Sequence, residues 1–124
     1  MRVLLVDDEQ ELVATLAERL EMRGIEATWA SDSNTALERV RQERFDIALL
    51  DVKLPNMNGL ELKRLIEAEC PWMKFIFLTG HGSDEDFVAC SAESGCDYYL
   101  IKPVQLDVLM GKLNEIFKGS GGPP

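Results

Sequence analysis

The sequence predicts an α/β fold in which a parallel sheet is covered by helices on both faces. Short runs of aliphatic and β-branched residues alternate with longer segments whose apolar residues recur at helical spacing. Strand–helix alternation of this kind favours parallel strands joined by right-handed crossovers. With 124 residues, the chain has the length of one domain and can bury a substantial core.

Five strands are expected, and all of them are short. The third, Ile47 to Leu50, is entirely apolar, as a central parallel strand must be when both of its faces are covered. The five runs are 3–6, 25–30, 47–50, 75–78 and 98–101. Five parallel strands with helices on both faces fit a flavodoxin-like (βα)5 doubly wound sheet, whose strand order is 2-1-3-4-5.

The helices are predicted from apolar periodicity and from residues that favour helix ends. Gly24 follows the first apolar stripe, where a glycine suits a helix C-terminus, and the run 31–33 offers N-caps for the second helix. The expected helices carry Leu12 to Leu20, Ala36 to Val40, Leu60 with Leu62, Leu65 and Ile66, Ser83 to Gly95, and Leu106 to Phe117. We therefore expect one domain at 1–118, followed at 119–124 by a flexible tail or the start of a linker.

Composition argues against several classes of function. The net charge of −9 would repel a phosphate backbone, and no stripe of Lys or Arg offsets it, so direct nucleic-acid binding is not expected. No apolar run approaches the roughly 20 residues of a membrane span, and no signal peptide is recognisable. The three cysteines lack a C-x-x-C spacing, which is typical of reduced side chains. These observations predict a cytoplasmic protein.

Polar, reactive residues follow four of the expected strands. Asp7 and Asp8 follow the first strand, Asp51 the third, Thr79 the fourth and Lys102 the fifth. In an open parallel sheet the carboxyl ends of the strands form the crevice in which ligands bind. Carboxylates packed together repel one another unless a cation relieves them, and oxygen ligands suit Mg²⁺. The pattern therefore predicts a site for a hard divalent cation and a phosphoryl group.

Each of these residues has a simpler interpretation when it is taken alone. Asp7 and Asp8 could favour a helix N-terminus, Thr79 could be an ordinary strand residue and Lys102 a solvated surface lysine. Tyr99 could be a static, half-buried aromatic side chain. The joint placement of the acids and the lysine at matching strand ends is what favours a functional site.

Taken together, these residues resemble the receiver domain of two-component response regulators. The resemblance rests on Asp7 and Asp8, Asp51 within the run DVKLPNMNG, Thr79, and Lys102 with Pro103. It covers essentially Met1 to Lys118, and the signatures occur in the expected order and in the expected βα units. The family implies a phosphorylation-dependent signalling switch that catalyses its own phosphorylation and dephosphorylation, and not an enzyme with a separate substrate.

The resemblance also implies a cofactor and a nucleophile. Mg²⁺ would be held by Asp8 and Asp51 directly, by Asp7 mostly through water, and by the backbone carbonyl of Lys53. Asp51 would be the nucleophile that receives the phosphoryl group. Its side chain would then become an aspartyl-phosphate.

Three further roles follow from the resemblance. Lys102 would stabilise negative charge on the phosphoryl oxygens, and Thr79 would donate its hydroxyl to one of them. Tyr99 would fill the gap that Thr79 leaves when it moves, which makes these two the expected switch residues. The bond from Lys102 to Pro103 matches a position at which the family has a cis peptide bond.

The partners implied by the resemblance are proteins. A sensor histidine kinase or a phosphotransfer protein would supply the phosphoryl group, and a downstream effector domain or protein would receive the signal. The output surface would lie around the last two βα units, near Tyr99. The same interpretation allows a dimer that is linked to phosphorylation, and it includes no membrane partner.

Three other functions fit the sequence less well. A flavin carrier needs a Ser/Thr/Gly-rich phosphate cradle after the first strand, where the acidic run 7–9 would repel the flavin phosphate. A phosphohydrolase with an aspartate nucleophile needs an acid two residues after it, where this chain has Lys53. A degenerate receiver that only binds partners is the remaining alternative, and the complete set of acids together with Thr79 and Lys102 argues against it.

Overall fold

The computed structural model describes residues 1–54, 57–79 and 98–120, and for Thr79, Tyr98 and residues 117–120 it describes the backbone only. The strands are β1 (Arg2–Val6), β2 (Glu26–Ala30), β3 (Ile47–Asp51), β4 (Lys74–Thr79) and β5 (Tyr98–Ile101). The helices of the described part are α1 (Gln10–Met22), α2 (Ser33–Gln42), α3 (Gly59–Glu69) and α4 (Leu106–Ser120). The helix expected from Ser83 to Gly95 lies outside the described residues.

The five strands lie parallel in one sheet, in the order β2-β1-β3-β4-β5. β1 pairs with both β2 and β3, so the winding of the chain reverses between the second and third strands. This arrangement confirms the flavodoxin-like fold expected from the sequence. A reversal of this kind opens a crevice at the carboxyl ends of the central strands.

The sheet separates two apolar cores, because alternate residues of a strand point to opposite faces. On one side, Leu4 and Val6 of β1 pack with residues of α2 and α3. On the other side, Val3 and Leu5 pack with residues of α1 and α4. All four side chains are 0% exposed. Where both faces are covered, as in the central strands β1 and β3, the strand is apolar along its length and polar side chains are left to its ends.

Helix α1 ends in a Schellman motif built on Gly24. The Gly24 N–H donates to Glu21 O, and the Ile25 N–H donates to Leu20 O, each at 3.0 Å. Gly24 adopts φ +83°, a left-handed conformation that glycine reaches without strain. Leu20 and Ile25 are buried in the same core, so the motif turns the chain directly into β2. The role expected for Gly24 is confirmed.

Side chains cap the N-termini of α2 and α3. Asp32 Oδ1 accepts a hydrogen bond from the Thr35 N–H at 2.7 Å, and Asn58 Oδ1 accepts one from the Glu61 N–H at 2.8 Å. Asp32 lies within the run expected to supply a cap. The cap at Asn58 fixes the point at which the chain leaves the loop after β3 and enters α3.

One helix face differs from the sequence prediction. Apolar spacing placed Leu65 on the buried face of α3, but its side chain is 43% exposed, whereas Lys63 is 1% exposed. The buried residues of α3 follow the i, i+3, i+4, i+7 spacing of a single stripe: Gly59, Leu62, Lys63 and Ile66. Leu65 lies off that stripe. The Lys63 ammonium is paired with Glu67 Oε1 at 3.0 Å, which offsets part of the cost of its burial.

The last helix, α4, buries one apolar face and extends further than expected. Leu109, Leu113 and Ile116 pack into the core on the α1 side of the sheet. The helix continues to Ser120, two residues past the boundary expected at 118. No helix of the described part has both the length and the apolar content needed to cross a bilayer.

Candidate functional site

The pairing register brings the predicted polar residues to one edge of the sheet. Asp51, the last residue of β3, pairs with Leu78 of β4. Thr79, the next residue of β4, pairs with Ile101, which directly precedes Lys102. The strand ends are therefore level with one another, as the sequence pattern required. The backbone of Thr79 is placed at this edge, and its side chain is outside the described part.

Three carboxylates meet at this edge. Asp7, Asp8 and Asp51 can each offer one oxygen such that all three oxygens lie within 4.8 Å of one another. Asp7 is 0% exposed and Asp51 is 5% exposed, whereas Asp8 faces solvent. Burying two neighbouring negative charges is unfavourable unless positive charge compensates them.

Lys102 supplies positive charge inside this cluster. Its Nζ lies 2.7 Å from Asp7 Oδ2 and 3.2 Å from Asp51 Oδ2, so the ammonium bridges the two buried acids. The same group donates to Glu9 Oε1 at 3.4 Å. The contact with Asp7 Oδ2 is an ion pair outside the angular range of a hydrogen bond, and this buried oxygen has no hydrogen-bond donor within the described ranges.

The loop after β3 holds the Asp51 carboxylate in place. The Lys53 backbone N–H donates to Asp51 Oδ1 at 3.2 Å, while the Lys53 side chain is exposed. The loop is closed by the Gly59 N–H, which donates to Val52 O at 2.8 Å. A Cβ placed on Gly59 would lie 2.5 Å from the Asp51 carbonyl oxygen, closer than a real Cβ can approach. Helix α3 can therefore begin this close to β3 only because residue 59 is glycine.

Burial and charge act in opposite directions on the two central groups. Burial, together with the Asp7 carboxylate, raises the pKa of Asp51 to about 6, against the lowering effect of Lys102. Burial alone would lower the pKa of Lys102, but Asp7 and Asp51 outweigh it, and the net pKa is raised. Near neutral pH Lys102 is therefore an ammonium and Asp51 a carboxylate. One ammonium among three acids leaves the site with an excess of negative charge.

The residues present fit a magnesium ion. Mg²⁺ prefers oxygen ligands in octahedral geometry and usually takes one or two carboxylates, with water and phosphate oxygens completing its shell. Asp7, Asp8 and Asp51 offer only oxygen donors, and the exposed Asp8 leaves the cluster open to water. Asp7 Oδ2 is buried and has no hydrogen-bond donor among the described residues, although the Lys102 ammonium lies 2.7 Å from it.

Tyr99 occupies a different environment from the acids. Its ring is half-buried against the core on the α2–α3 side, with its centroid 6.1 Å from that of Phe77 and the two ring planes inclined by 35°. Burial raises the pKa of its phenol. The Lys102–Pro103 peptide bond is cis.

Two residues that contact the site, Glu9 and Gly59, were not predicted from the sequence to do so. Glu9 follows the acid pair directly, and its carboxylate reaches Lys102, 93 residues further along the chain. Adjacency to the acids was the only signal for Glu9. Gly59 begins a helix directly after its cap, Asn58. Glycine disfavours helices, so its presence in a first turn was a signal for a close backbone approach.

Comparisons with known proteins identify the family of the chain. The family model of the response regulator receiver domain matches residues 3–114. The chain is 34% identical, over 122 residues, to the two-component response regulator PhoP of Pseudomonas aeruginosa. This alignment covers 98% of this chain and 54% of PhoP. It is 35% identical, over 115 residues, to the CAI-1 autoinducer sensor kinase/phosphatase CqsS of Vibrio cholerae. That alignment covers 90% of this chain and 17% of CqsS.

A solved structure shows the same fold at similar identity. The crystal structure of a CheY-like response regulator receiver domain protein from Methanospirillum hungatei superposes with a TM-score of 0.88 at 35% identity, covering 97% of this chain and 95% of that one. The chain spans about half the length of PhoP and a smaller share of CqsS. The family match, the strand order and this superposition lead to one conclusion: the chain belongs to the response regulator receiver domain family, whose members act in phosphorylation-based two-component signalling.

Proposed function

We propose that Asp51 is the phosphoryl acceptor of this receiver domain and that residues 1–118 act as one phosphorylation-dependent switch. The position of the Asp51 carboxylate carries the proposal. Oδ2 lies 3.2 Å from the Lys102 ammonium, and Oδ1 accepts a hydrogen bond from the Lys53 N–H. Both oxygens are thus oriented by a donor, at an edge of the sheet that the exposed Asp8 leaves open.

In the proposed reaction, an Asp51 oxygen forms a bond to phosphorus while the bond from phosphorus to the donor's leaving atom breaks. The nucleophile has to be ionised, and a pKa of about 6 leaves most Asp51 side chains as carboxylates at neutral pH. Lys102 is already in contact with the attacking group, so it is placed to stabilise charge on the incoming phosphoryl oxygens. The Lys53 N–H keeps the carboxylate from rotating.

Mg²⁺ is the proposed cofactor, held by Asp7, Asp8, Asp51 and the Lys53 backbone carbonyl. When bound, it would offset the charge of the phosphoryl oxygens. Asp8 is exposed and able to exchange water for a ligand, whereas Asp7 is buried and already paired with Lys102. This difference supports direct ligation by Asp8 and a contact through water for Asp7.

A sensor histidine kinase or a phosphotransfer protein is the proposed donor, and an effector domain or protein the recipient of the signal. The chain matches segments both of PhoP, named a response regulator, and of CqsS, named a sensor kinase, so either setting is compatible with it. An open groove of about 350 Å³ runs beside α1, where Leu12, Leu16 and Val104 contribute apolar surface. A donor helix lying there would be close to the start of α1, where the acid pair is located.

Thr79 and Tyr99 are the proposed residues through which phosphorylation changes the output surface. Two observations support a link between them. Thr79 ends β4, and Tyr99 lies on β5, the strand paired with β4. Tyr99 is half-buried, so a shift of its ring would alter how much of it reaches the surface.

Intact-mass spectrometry with acetyl phosphate tests the proposal. In the presence of Mg²⁺ we expect the wild-type chain to gain one phosphoryl group, and we expect no gain with a chelator. Asp51→Asn should gain none, while Asp107→Asn, which changes an exposed acid on α4, should behave like the wild type. Labelling of Asp51→Asn at the wild-type rate would refute the assignment. A wild-type chain that never gains mass would favour a degenerate receiver.

A further inference from the structure

Glu9 occupies the N-cap position of α1, but its side chain does not cap the helix. The Glu9 carbonyl accepts the Val13 N–H at 3.1 Å, as the backbone of a cap residue does, yet its side chain makes no capping hydrogen bond. Short side chains such as Ser, Thr, Asp and Asn are preferred at this position because they can reach the first-turn N–H groups. The longer Glu9 side chain is directed elsewhere.

The Glu9 carboxylate contacts Lys102 instead. Oε1 lies 3.4 Å from Lys102 Nζ. The Glu9 backbone N–H donates to Asp7 Oδ1 at 2.9 Å, which fixes the main chain from which this side chain extends. Glu9 is thus tied to the site at both its backbone and its side chain.

Lys102 is surrounded by acceptors before any phosphoryl group is present. Three carboxylates lie within 3.4 Å of its Nζ: those of Asp7, Asp51 and Glu9. The ammonium donates hydrogen bonds to Asp51 and Glu9 and lies in ion-pair contact with Asp7, so a phosphoryl oxygen on Asp51 would enter a crowded shell and compete first with its weakest contact. The Asp7 side chain is 0% exposed and 2.7 Å away, whereas the Glu9 side chain is 63% exposed and makes the longest of the three contacts. Water can solvate a departing Glu9 at little cost.

We infer that Glu9 is a positioning residue that holds Lys102 in the unphosphorylated domain and competes with the phosphoryl group for it. This inference rests on the proposed role of Asp51. While Asp51 is free, Glu9 occupies the solvent-exposed side of the Lys102 ammonium, opposite in character to the buried contacts with Asp7 and Asp51. When a phosphoryl group arrives, Lys102 exchanges Glu9 for a phosphoryl oxygen. Glu9 therefore weakens the phosphorylated state, and its charge also opposes the approach of an anionic donor.

The test compares Glu9→Gln with Glu11→Gln, using beryllofluoride as the phosphoryl mimic in the presence of Mg²⁺. Both variants lose one negative charge from the start of α1, but Glu11 makes no contact with Lys102 among the described interactions. Glu9→Gln should lower the Kd for beryllofluoride by about 2- to 5-fold, the range expected for an exposed ion pair. Glu11→Gln should lower it by less than half as much, and Glu9→Ala should match Glu9→Gln.

A second measurement needs neither metal nor phosphoryl mimic. In ¹³C-lysine-labelled, metal-free protein, the Lys102 ε-CH₂ signal can be assigned by its loss in Lys102→Met. This signal should shift in Glu9→Gln and stay in place in Glu11→Gln, because only Glu9 contacts the ammonium. A residue that merely supported the start of α1 would leave the Lys102 signal unchanged.

Binding of beryllofluoride to the wild type and to the variants separates the role of Asp51 from that of Glu9. If wild-type protein does not bind beryllofluoride, the role of Asp51 and the inference that rests on it are both wrong. If the wild type binds and the Kd of Glu9→Gln is unchanged or higher, only the competition by Glu9 is wrong. Equal effects of Glu9→Gln and Glu11→Gln would refute the competition for Lys102, because they would show that only the negative charge near the start of α1 matters.

Discussion

Asp51 joins two properties that usually oppose each other, because it is 5% exposed and yet must carry charge in its proposed role as a nucleophile. The protein resolves this with Lys102 at 3.2 Å and a backbone N–H on the other oxygen. The compensation is incomplete, since the pKa of Asp51 is raised to about 6 by burial and by Asp7. The Asp51 carboxylate is therefore held in an environment that favours its neutralisation, whether by a proton, by a metal or by the proposed covalent modification.

The raised pKa of Asp51 predicts how stability depends on pH in metal-free protein. Folding raises this pKa from 3.8 to about 6, so Asp51 favours the folded state below pH 4, and that contribution is lost as the pH rises through 6. Asp51→Asn cannot ionise and does not lose it. We therefore compare the unfolding free energy of Asp51→Asn with that of the wild type at each pH. From pH 4 to pH 8, this difference should shift by about 1 to 2 kcal/mol in favour of the variant, allowing for solvent screening.

Urea unfolding in chelator at pH 4, 6 and 8 measures this difference. Asp107→Asn is the control, because the Asp107 side chain is 92% exposed. Its difference from the wild type should vary little with pH. If the advantage of Asp51→Asn were constant, or grew toward acid, the raised pKa would be contradicted.

At the scale of single residues, the sequence could predict which groups meet but not how they touch. Asp7, Asp8, Asp51 and Lys102 follow strands, and the hydrogen bonding of a parallel sheet aligns strand ends, so their meeting followed from the pattern. The contact of Glu9 with Lys102 did not, because it depends on side-chain rotamers and on the path of two loops.

At the scale of secondary structure, the junction between β3 and α3 positions Asp51, the proposed acceptor. Gly59 lies against the Asp51 backbone, and its N–H closes the loop onto Val52. The Asn58 cap fixes where α3 begins. The position of the Asp51 carboxylate is therefore set by a packing constraint eight residues further along the chain.

Gly59→Ala should disturb this junction. The new Cβ would lie 2.5 Å from the Asp51 carbonyl oxygen, and backbone atoms on both sides would have to move. We expect a loss of about 1 to 3 kcal/mol in the free energy of unfolding, as for other overpacked sites. The rate of phosphorylation by acetyl phosphate should fall as well, because the displaced group is the backbone of the proposed nucleophile, Asp51.

Gly111→Ala is the matched control. Gly111 lies inside α4, and a Cβ there meets nothing within 4 Å. Alanine should stabilise the helix by about 0.5 to 1 kcal/mol and leave phosphorylation unchanged. Equal behaviour of the two variants would show that the close approach at Gly59 has no role in placing Asp51.

At the scale of helices and strands, the sequence was informative where one local rule decides the outcome. Gly24 ends α1 because the Schellman motif needs a left-handed residue, and composition alone indicated this. The face of α3 was partly wrong, since Leu65 is exposed and Lys63 buried. Hydrophobicity cannot predict a buried ammonium, because its burial depends on an ion pair with Glu67 and on a contact with the Phe75 ring, 5.8 Å from Nζ.

For the whole molecule, the fold concentrates unfavourable charge in one place. The cores on both sides of the sheet are apolar, whereas the carboxyl-terminal edge holds three acids and one ammonium. The chain as a whole carries a net charge of −9. A cation bound at this edge should therefore stabilise the entire domain.

Mg²⁺ should raise the melting temperature by mass action. At a free concentration ten times its Kd, the stabilisation is about 1.4 kcal/mol, which corresponds to roughly 5 °C for a domain of this size. Asp8→Ala should melt higher than the wild type without metal, because one of three repelling charges is gone, and it should lose most of the response to Mg²⁺.

Scanning calorimetry with MgCl₂, against KCl at matched ionic strength, separates a site from general screening. Equal shifts in the two salts would count against a metal site. A full Mg²⁺ response in Asp8→Ala would show that the ion binds somewhere else.

The most direct test of the central claim is to locate the phosphoryl group in the chain. After reaction with acetyl phosphate and Mg²⁺, borohydride reduces an aspartyl-phosphate to a residue that peptide mass spectrometry can identify. We predict a single reduced position, Asp51, in wild type and in Glu9→Gln, and none without Mg²⁺. Reduction at Asp7, Asp8 or Glu9 while Asp51 stays intact would contradict the assignment of the acceptor.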